Sequence, residues 1–353
     1  MRRWKWLFAV LTVGVAGFSP QAPVQLERVS RIGCVDCTGP QMFAGIQAIA
    51  VGSGRVFVAD RSAPYLRVFD VNGKSLRAFA AKGNGPGEQQ LPIHVRPRAN
   101  NGVEVYDMTQ RRFTRYDSAG TVVTTRTFPG FAVLVASPGQ PAESYIITSD
   151  FRTQEQPILV LTDAAREPTR LLSLGADFPR LEPNEHARTP AFAARPGGGF
   201  AVGDGIREYR IRRYDRQGKA LGDIVRNVQR RRKTPEDIAQ ERVQFDRRRA
   251  RMQAMVRAEG GGPGAIGFTP RPEWNHFNID ALQYDERGRL WVRTERGGLS
   301  ATIFDLFNAD GGYLGELRVP EKLGPYAIGN GYLAARVTDD DEVEYVSVWR
   351  VRS

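Results

Sequence analysis

Residues 46–60, IQAIAVGSGRVFVAD, decide the fold. Ile46 to Val51 is a short apolar run, and Gly52-Ser53-Gly54 turns the chain. Val56-Phe57-Val58-Ala59-Asp60 is a second apolar run that ends in an acid. Short apolar runs joined by glycine-containing turns are the pattern of antiparallel hairpins. The pattern continues outward. Leu66 to Phe69 makes a third run, closed by Asp70-Val71-Asn72-Gly73, and Ser75 to Phe79 makes a fourth.

This four-run unit recurs. Val103-Glu104-Val105-Tyr106-Asp107 leads to Phe113-Thr114-Arg115-Tyr116 and a turn at Asp117-Ser118-Ala119-Gly120. Gly199 to Asp204 leads to Ile211 to Tyr214 and Asp215-Arg216-Gln217-Gly218. Leu290-Trp291-Val292 leads to Ile303-Phe304 and Asp310-Gly311. Asp60 and Asp107 are 47 residues apart, and Asp107 and Asp204 are 97 apart, two periods. The stretch 129–175 is therefore a degenerate copy, with strands at Tyr145-Ile146-Ile147 and Ile158 to Leu161. Asp204 to Thr294 is 90, one period plus an insertion. Without its leader and that insertion the chain holds roughly 290 residues, enough for six copies of about 48. One four-stranded sheet cannot bury both faces, and radial packing of several does so while leaving only short edges. The expectation is an all-β chain, a six-bladed β-propeller over 23–353, with an inserted basic helix between blades 4 and 5. The last unit, about 320–353, has only three runs. Residues 24–32 have strand character and are expected to supply the fourth and close the ring.

Ile46-x-Ala48-Ile49-Ala50, Gly54-Arg55-Val56-Phe57-Val58-Ala59-Asp60, Leu66-Arg67-Val68-Phe69-Asp70 and Gly73 together resemble an NHL repeat. Lys82-Gly83-Asn84-Gly85-Pro86-Gly87-Glu88 resembles the G-x-G-P-G-E segment of exported bacterial six-bladed β-propeller proteins. The likeness is strongest in the first two units and covers about half of the chain well. It implies fold and export and little about chemistry.

Export is also readable in the leader. Met1-Arg2-Arg3-Trp4-Lys5 is a positive n-region, and Trp6 to Phe18 is an apolar stretch of 13 residues. That is too short to span a bilayer, so residues 1–22 read as a signal peptide, with a retained anchor as the alternative. The protein is then secreted or periplasmic and in some settings envelope-associated. Cys34 and Cys37 are the chain's two cysteines. One Cys-x-x-Cys in an exported β protein reads as a local disulfide at the start of the first blade.

The insertion, about 226–270, breaks the β pattern. Arg226 to Arg257 holds eleven basic and four acidic residues, a net of +7 of the chain's +11. Thr234-Pro235-Glu236-Asp237 is a helix start, with a cap, a proline at the first helical position and an acid three residues after the cap. Gly260 to Gly264 stops it. Ile238, Phe245, Met252 and Val256 form a narrow apolar stripe. The helix either lies across the propeller rim with solvated charges or offers Arg230, Arg231, Arg232, Arg247, Arg248 and Arg249 to an anionic surface such as a membrane. Nucleic acid is disfavoured by export and by the absence of interleaved aromatics.

Three histidines stand at or ahead of first strands: His94, His186 and His276. Gathered at a channel mouth they would suit a divalent metal or acid–base work. NHL-type lyases, which this fold resembles, use channel histidines, but their Pro-His pairing is missing here. Unrelated surface or turn histidines are the plainer reading. Asp60, Asp107 and Asp204 recur at strand ends and either ring the channel as ligand-binding carboxylates or cap turns. Gly83 to Gly87 opens no helix and lacks a P-loop lysine, so it reads as an interblade turn. Two functions follow. One is a monomeric, cofactor-free binding module for a protein, peptide or glycan. The other is a propeller lyase or hydrolase with a histidine site at the channel mouth.

Overall fold

The computed structural model describes residues 24–35, 39–128, 132–136, 143–148, 156–162, 167–174, 190–258, 268 and 270–352. The signal-peptide reading, Cys37, His186 and the glycine stop lie outside those residues. Strand β1 is Gln25–Ile32. Blade 1 holds β2 (Ile46–Gly52), β3 (Arg55–Asp60), β4 (Leu66–Asp70) and β5 (Ser75–Phe79). Blade 2 holds β6 (Pro92–Pro97), β7 (Val103–Asp107), β8 (Arg112–Tyr116) and β9 (Val122–Thr127). Blade 3 holds β10 (Ala132–Ala136), β11 (Glu143–Thr148), β12 (Gln156–Thr162) and β13 (Thr169–Leu174). Blade 4 holds β14 (Ala191–Ala194), β15 (Phe200–Asp204), β16 (Tyr209–Tyr214) and β17 (Ala220–Arg226). Helix α1 (Pro235–Ala258) follows. Blade 5 holds β18 (Phe277–Tyr284), β19 (Leu290–Thr294), β20 (Thr302–Phe307) and β21 (Tyr313–Val319). Blade 6 holds β22 (Leu323–Gly329), β23 (Tyr332–Thr338) and β24 (Glu344–Arg352).

Each of blades 1 to 5 is a four-stranded antiparallel meander, and blade 6 is completed by β1, in the order β1-β24-β23-β22. The chain's first strand thus pairs with its last, Gln25 opposite Arg352 and Ile32 opposite Val346. The result is a six-bladed β-propeller with first strands innermost: β2 packs beside both β6 and β22.

The core is divided among the blade interfaces. Phe57, Val68, Val95 and Val103 fill the space between blades 1 and 2. Tyr106, Phe113, Ile146 and Leu161 lie between blades 2 and 3. Tyr145, Ile158, Phe192 and Phe200 lie between blades 3 and 4. Ile211, Phe277, Leu282 and Val292 lie between blades 4 and 5. Trp291, Phe304, Leu333 and Trp349 lie between blades 5 and 6. Ile32, Ile46, Val58 and Val346 close blade 6 onto blade 1. Sheets sandwiched on both faces bury both sides of their inner strands. So β7 and β19 are buried throughout, whereas the outermost β5 and β9 are mostly exposed. Close packing at one interface requires glycine: a side chain at Gly203 would meet the Phe277 ring.

The outer hairpins share one device. Asp70 Oδ1 accepts from the N–H groups of Asn72 and Lys74, and Asp117, Asp215 and Asn308 repeat the arrangement two and four residues on. A short polar side chain that satisfies two turn amides, followed by glycine, explains the repeated D-x-x-G spacing.

Candidate functional site

Antiparallel pairing puts each blade's first-strand lead-in and its second-to-third-strand hairpin at the same end. One face of the ring therefore gathers the six ends of the second strands. These are Asp60, Asp107, Thr148, Asp204, Thr294 and Thr338.

The three acids are committed to the backbone. Asp60 is fully buried and accepts from the N–H groups of Ala44, Gly45 and Ser62, and it pairs with the buried Arg67 at 3.2 Å. Asp107, also fully buried, accepts from Gln90, Leu91 and Gln110. Asp204 accepts from Ile206. Their carboxylates hold loops in place. The Gly83–Glu88 segment is likewise strapped: Arg112 donates to the carbonyls of Asn84, Gly85 and Glu88, and Tyr116 donates to that of Gly87.

His94 and His276 stand apart. His94 lies within β6 and faces Tyr106 across the pair. Burial, with the Arg96 guanidinium beside it and Glu104 only partly offsetting, holds its imidazole down to about 4. His276 lies where blades 4 and 5 meet: its N–H donates to Gly205, and its ring packs on Tyr209 at 5.9 Å. Burial and Arg230 lower its pKa, opposed by Asp204 and Glu273. Blades 2 and 5 face each other across a six-membered ring, and these two surroundings share no residue. Among the described residues no group of three His, Cys, Asp or Glu side chains is placed to hold a metal ion. Cys34 is disulfide-bonded.

The insertion also lines a cavity. Thr234 and Asp237 cap α1 reciprocally: the Asp237 N–H donates to Thr234 Oγ1 at 3.2 Å, and the Thr234 N–H donates to Asp237 Oδ2 at 3.0 Å. The Trp274 indole and Arg231 also reach Asp237. Burial opposes ionisation of Asp237, but these donors outweigh it and keep the carboxyl below the usual carboxylate range. Phe245, from the apolar stripe, is buried against Phe268. The insertion's cations mostly find acids: Arg230 with Glu273, Arg231 with Asp237, Lys233 with Glu241, Arg242 with Asp246 and Arg247 with Glu342. The last pair joins α1 to the β23–β24 hairpin of blade 6, so the helix crosses the loop face over blades 5 and 6. Of the remaining arginines, Arg232 and Arg249 are exposed, and the Arg248 side chain is outside the described set.

Beneath the first turns of α1 lies a cleft of about 410 Å³. Arg231, Glu236, Asp237 and Gln240 form the wall on the insertion side. Arg296, Gly297, Leu299, Ser300 and Arg318 form the blade 5 wall. The blade wall exists because residues 295–301 make a longer second-to-third connection than 108–111 in blade 2 or 205–208 in blade 4. Gly298, at φ 61° and ψ −135°, sits against Arg231 Nη1, and any side chain there would collide with it. Arg296 is held by Thr294 Oγ1, Asp305 and Glu316.

Of the residues named from sequence as site candidates, the fold brings only Arg231 to this cleft, beside Glu236 and Asp237 of the expected helix start. Glu236, Gln240, Arg296, Ser300 and Arg318 were missed there. The available signal was Glu295-Arg296-Gly297-Gly298, a glycine pair just after a second strand where other blades turn tightly.

A family model described as a 6-bladed beta-propeller, DUF5128, matches residues 40–171. The NHL-repeat likeness in the same region is not what that match names. No curated protein matches the chain by sequence. The crystal structure of a DUF4221 family member from Bacteroides vulgatus ATCC 8482 superposes with a TM-score of 0.54 at 12% identity, over 94% of this chain and 99% of that one. A Bacteroides fragilis NCTC 9343 protein described as a candidate exported protein gives a TM-score of 0.49 at 12% identity, over 93% and 95%. The first of these two likenesses shows a shared fold.

Proposed function

We propose that the chain is an exported binding module and that the cleft between α1 and blade 5 is its ligand site. One observation carries this reading. The cleft lies where the chain departs from its own repeat, because an insertion and a lengthened hairpin together build a wall on each side of it. In blades 1 and 2 the equivalent polar side chains are spent on backbone amides. Export is supported by the basic and apolar leader and by the bonded Cys34, since disulfides persist in oxidising compartments.

The test is to fill the cleft. Ser300 is exposed, so Ser300→Trp should preserve the fold while occupying the cavity. A library of polar metabolites and short peptides, screened by thermal shift, should contain compounds that raise the melting temperature of the wild type and not of Ser300→Trp. Compounds that stabilise both proteins equally would place binding elsewhere and overturn the reading.

A further inference from the structure

Charge pairing inside the cleft narrows the ligand class, given the site proposed above. Arg231 is paired with Asp237 at 2.8 Å. Arg296 is paired with both Asp305 and Glu316. These cations are neutralised and rigidly held. Two lining charges remain. Among the described residues neither Glu236, on the helix wall, nor Arg318, on the blade wall, has an ion-pair partner. They do not reach each other: the cleft separates them. Gln240 and Ser300 add one neutral hydrogen-bonding side chain to each wall, and among the described residues Leu299 is the one apolar side chain in the lining.

We propose that this cleft binds a zwitterionic ligand of di- to tripeptide size, its ammonium toward Glu236 and its carboxylate toward Arg318. A plain anion would satisfy Arg318 and leave the Glu236 carboxylate facing like charge; a plain cation would meet the reverse. A singly charged ligand leaves one wall's charge without a complement, whereas a ligand carrying both signs in the matching order satisfies both walls. The volume fits, since small-ligand sites run from roughly 300 to 1,000 Å³ and this one is near the lower bound. Preorganised neighbours reduce the ordering needed on binding.

A charge-deletion series tests this by titration calorimetry on the full chain. Trialanine carries both charges, N-acetyl-trialanine only the anion, and trialanine amide only the cation. Trialanine should bind, and each capped form should bind roughly tenfold more weakly. Glu236→Gln should abolish the advantage of trialanine over its acetylated form, and Arg318→Gln its advantage over the amide. Both residues are exposed, and an unchanged thermal melt confirms folding. An acetylated or amidated form that binds as well as trialanine overturns the zwitterion proposal, as does absence of trialanine binding at millimolar concentration. Ser300→Trp separates the two readings. If it removes the binding of a capped form, the cleft remains the site and only the ligand class falls. If it changes nothing, the cleft falls as well.

Discussion

Blades 1 and 2 and the sector formed by blade 5 with α1 solve the same problem differently. In the first two blades the second strand ends in an aspartate whose oxygens take the amides leading into the first strand. In blade 5 that position is Thr294, whose hydroxyl donates to Ile303 within its own sheet. A threonine has one oxygen where an aspartate has two, so it cannot gather several amides. The lead-in to β18 is instead the long insertion, held by Asp237, Trp274 and side-chain ion pairs. In blades 1 and 2, where the aspartate is kept and buried, its polar capacity is used up internally. In blade 5, where a threonine replaces it, side chains are left facing a cavity.

The widest test of that contrast asks whether the two regions fold independently. Deleting residues 24–32 removes β1 and opens the ring between blade 6 and blade 1. Ile32 is buried at that junction, so both regions should lose structure in one cooperative step, with the melt lowered by more than about 10 °C or abolished. Retention of the wild-type melting temperature would show that the ring does not need closing.

Next comes the aspartate itself. Asp60→Ala strands the buried Arg67 and several amides, and should be destabilised by about 3–5 kcal/mol in chemical denaturation. Thr294→Ala, at the equivalent position in blade 5, should lose only about 1 kcal/mol. Equal losses would erase the distinction.

Acid should act first on blade 2. His94 titrates near 4 in the folded chain and near 6.5 unfolded, so between those values the unfolded state binds more protons. Stability from the neutral imidazole is whole above the unfolded value and declines as pH falls toward 4, by at most about 3 kcal/mol. His94→Gln should flatten that part of the stability–pH curve. An identical curve would remove His94 from the account.

The smallest effect belongs to the far end of the helix. Arg247 and Glu342 are both about half exposed, so Arg247→Ala should shift stability by under about 1 kcal/mol. Its use is local: hydrogen exchange along α1 should rise while that of β19 stays unchanged.

Much of the fold was legible in residues 46–79 alone. Turn glycines, apolar runs and a terminal acid reflect local hydrogen bonding and two-sided burial, which act within one repeat. The helix start was equally legible, since Thr234, Pro235 and Asp237 lie within one turn. The site was not. Asp60 and Asp107 recur like functional residues because the same lead-in must be tied down in each blade, and Asp204 recurs with them while capping its own hairpin. His94 and His276 stand near the starts of their blades yet lie in different blades with different neighbours.

By itself the sequence determined the period, the strand order within each unit and the place where the repeat is interrupted, because these follow from contacts between near neighbours in the chain. Only the tertiary structure decided which charges are cancelled and which survive. Glu236 and Arg318 are 82 positions apart, and they share a cleft because a helix from one connection is laid over a hairpin from another blade. Ion pairing depends on distance in space, which the order of residues does not record.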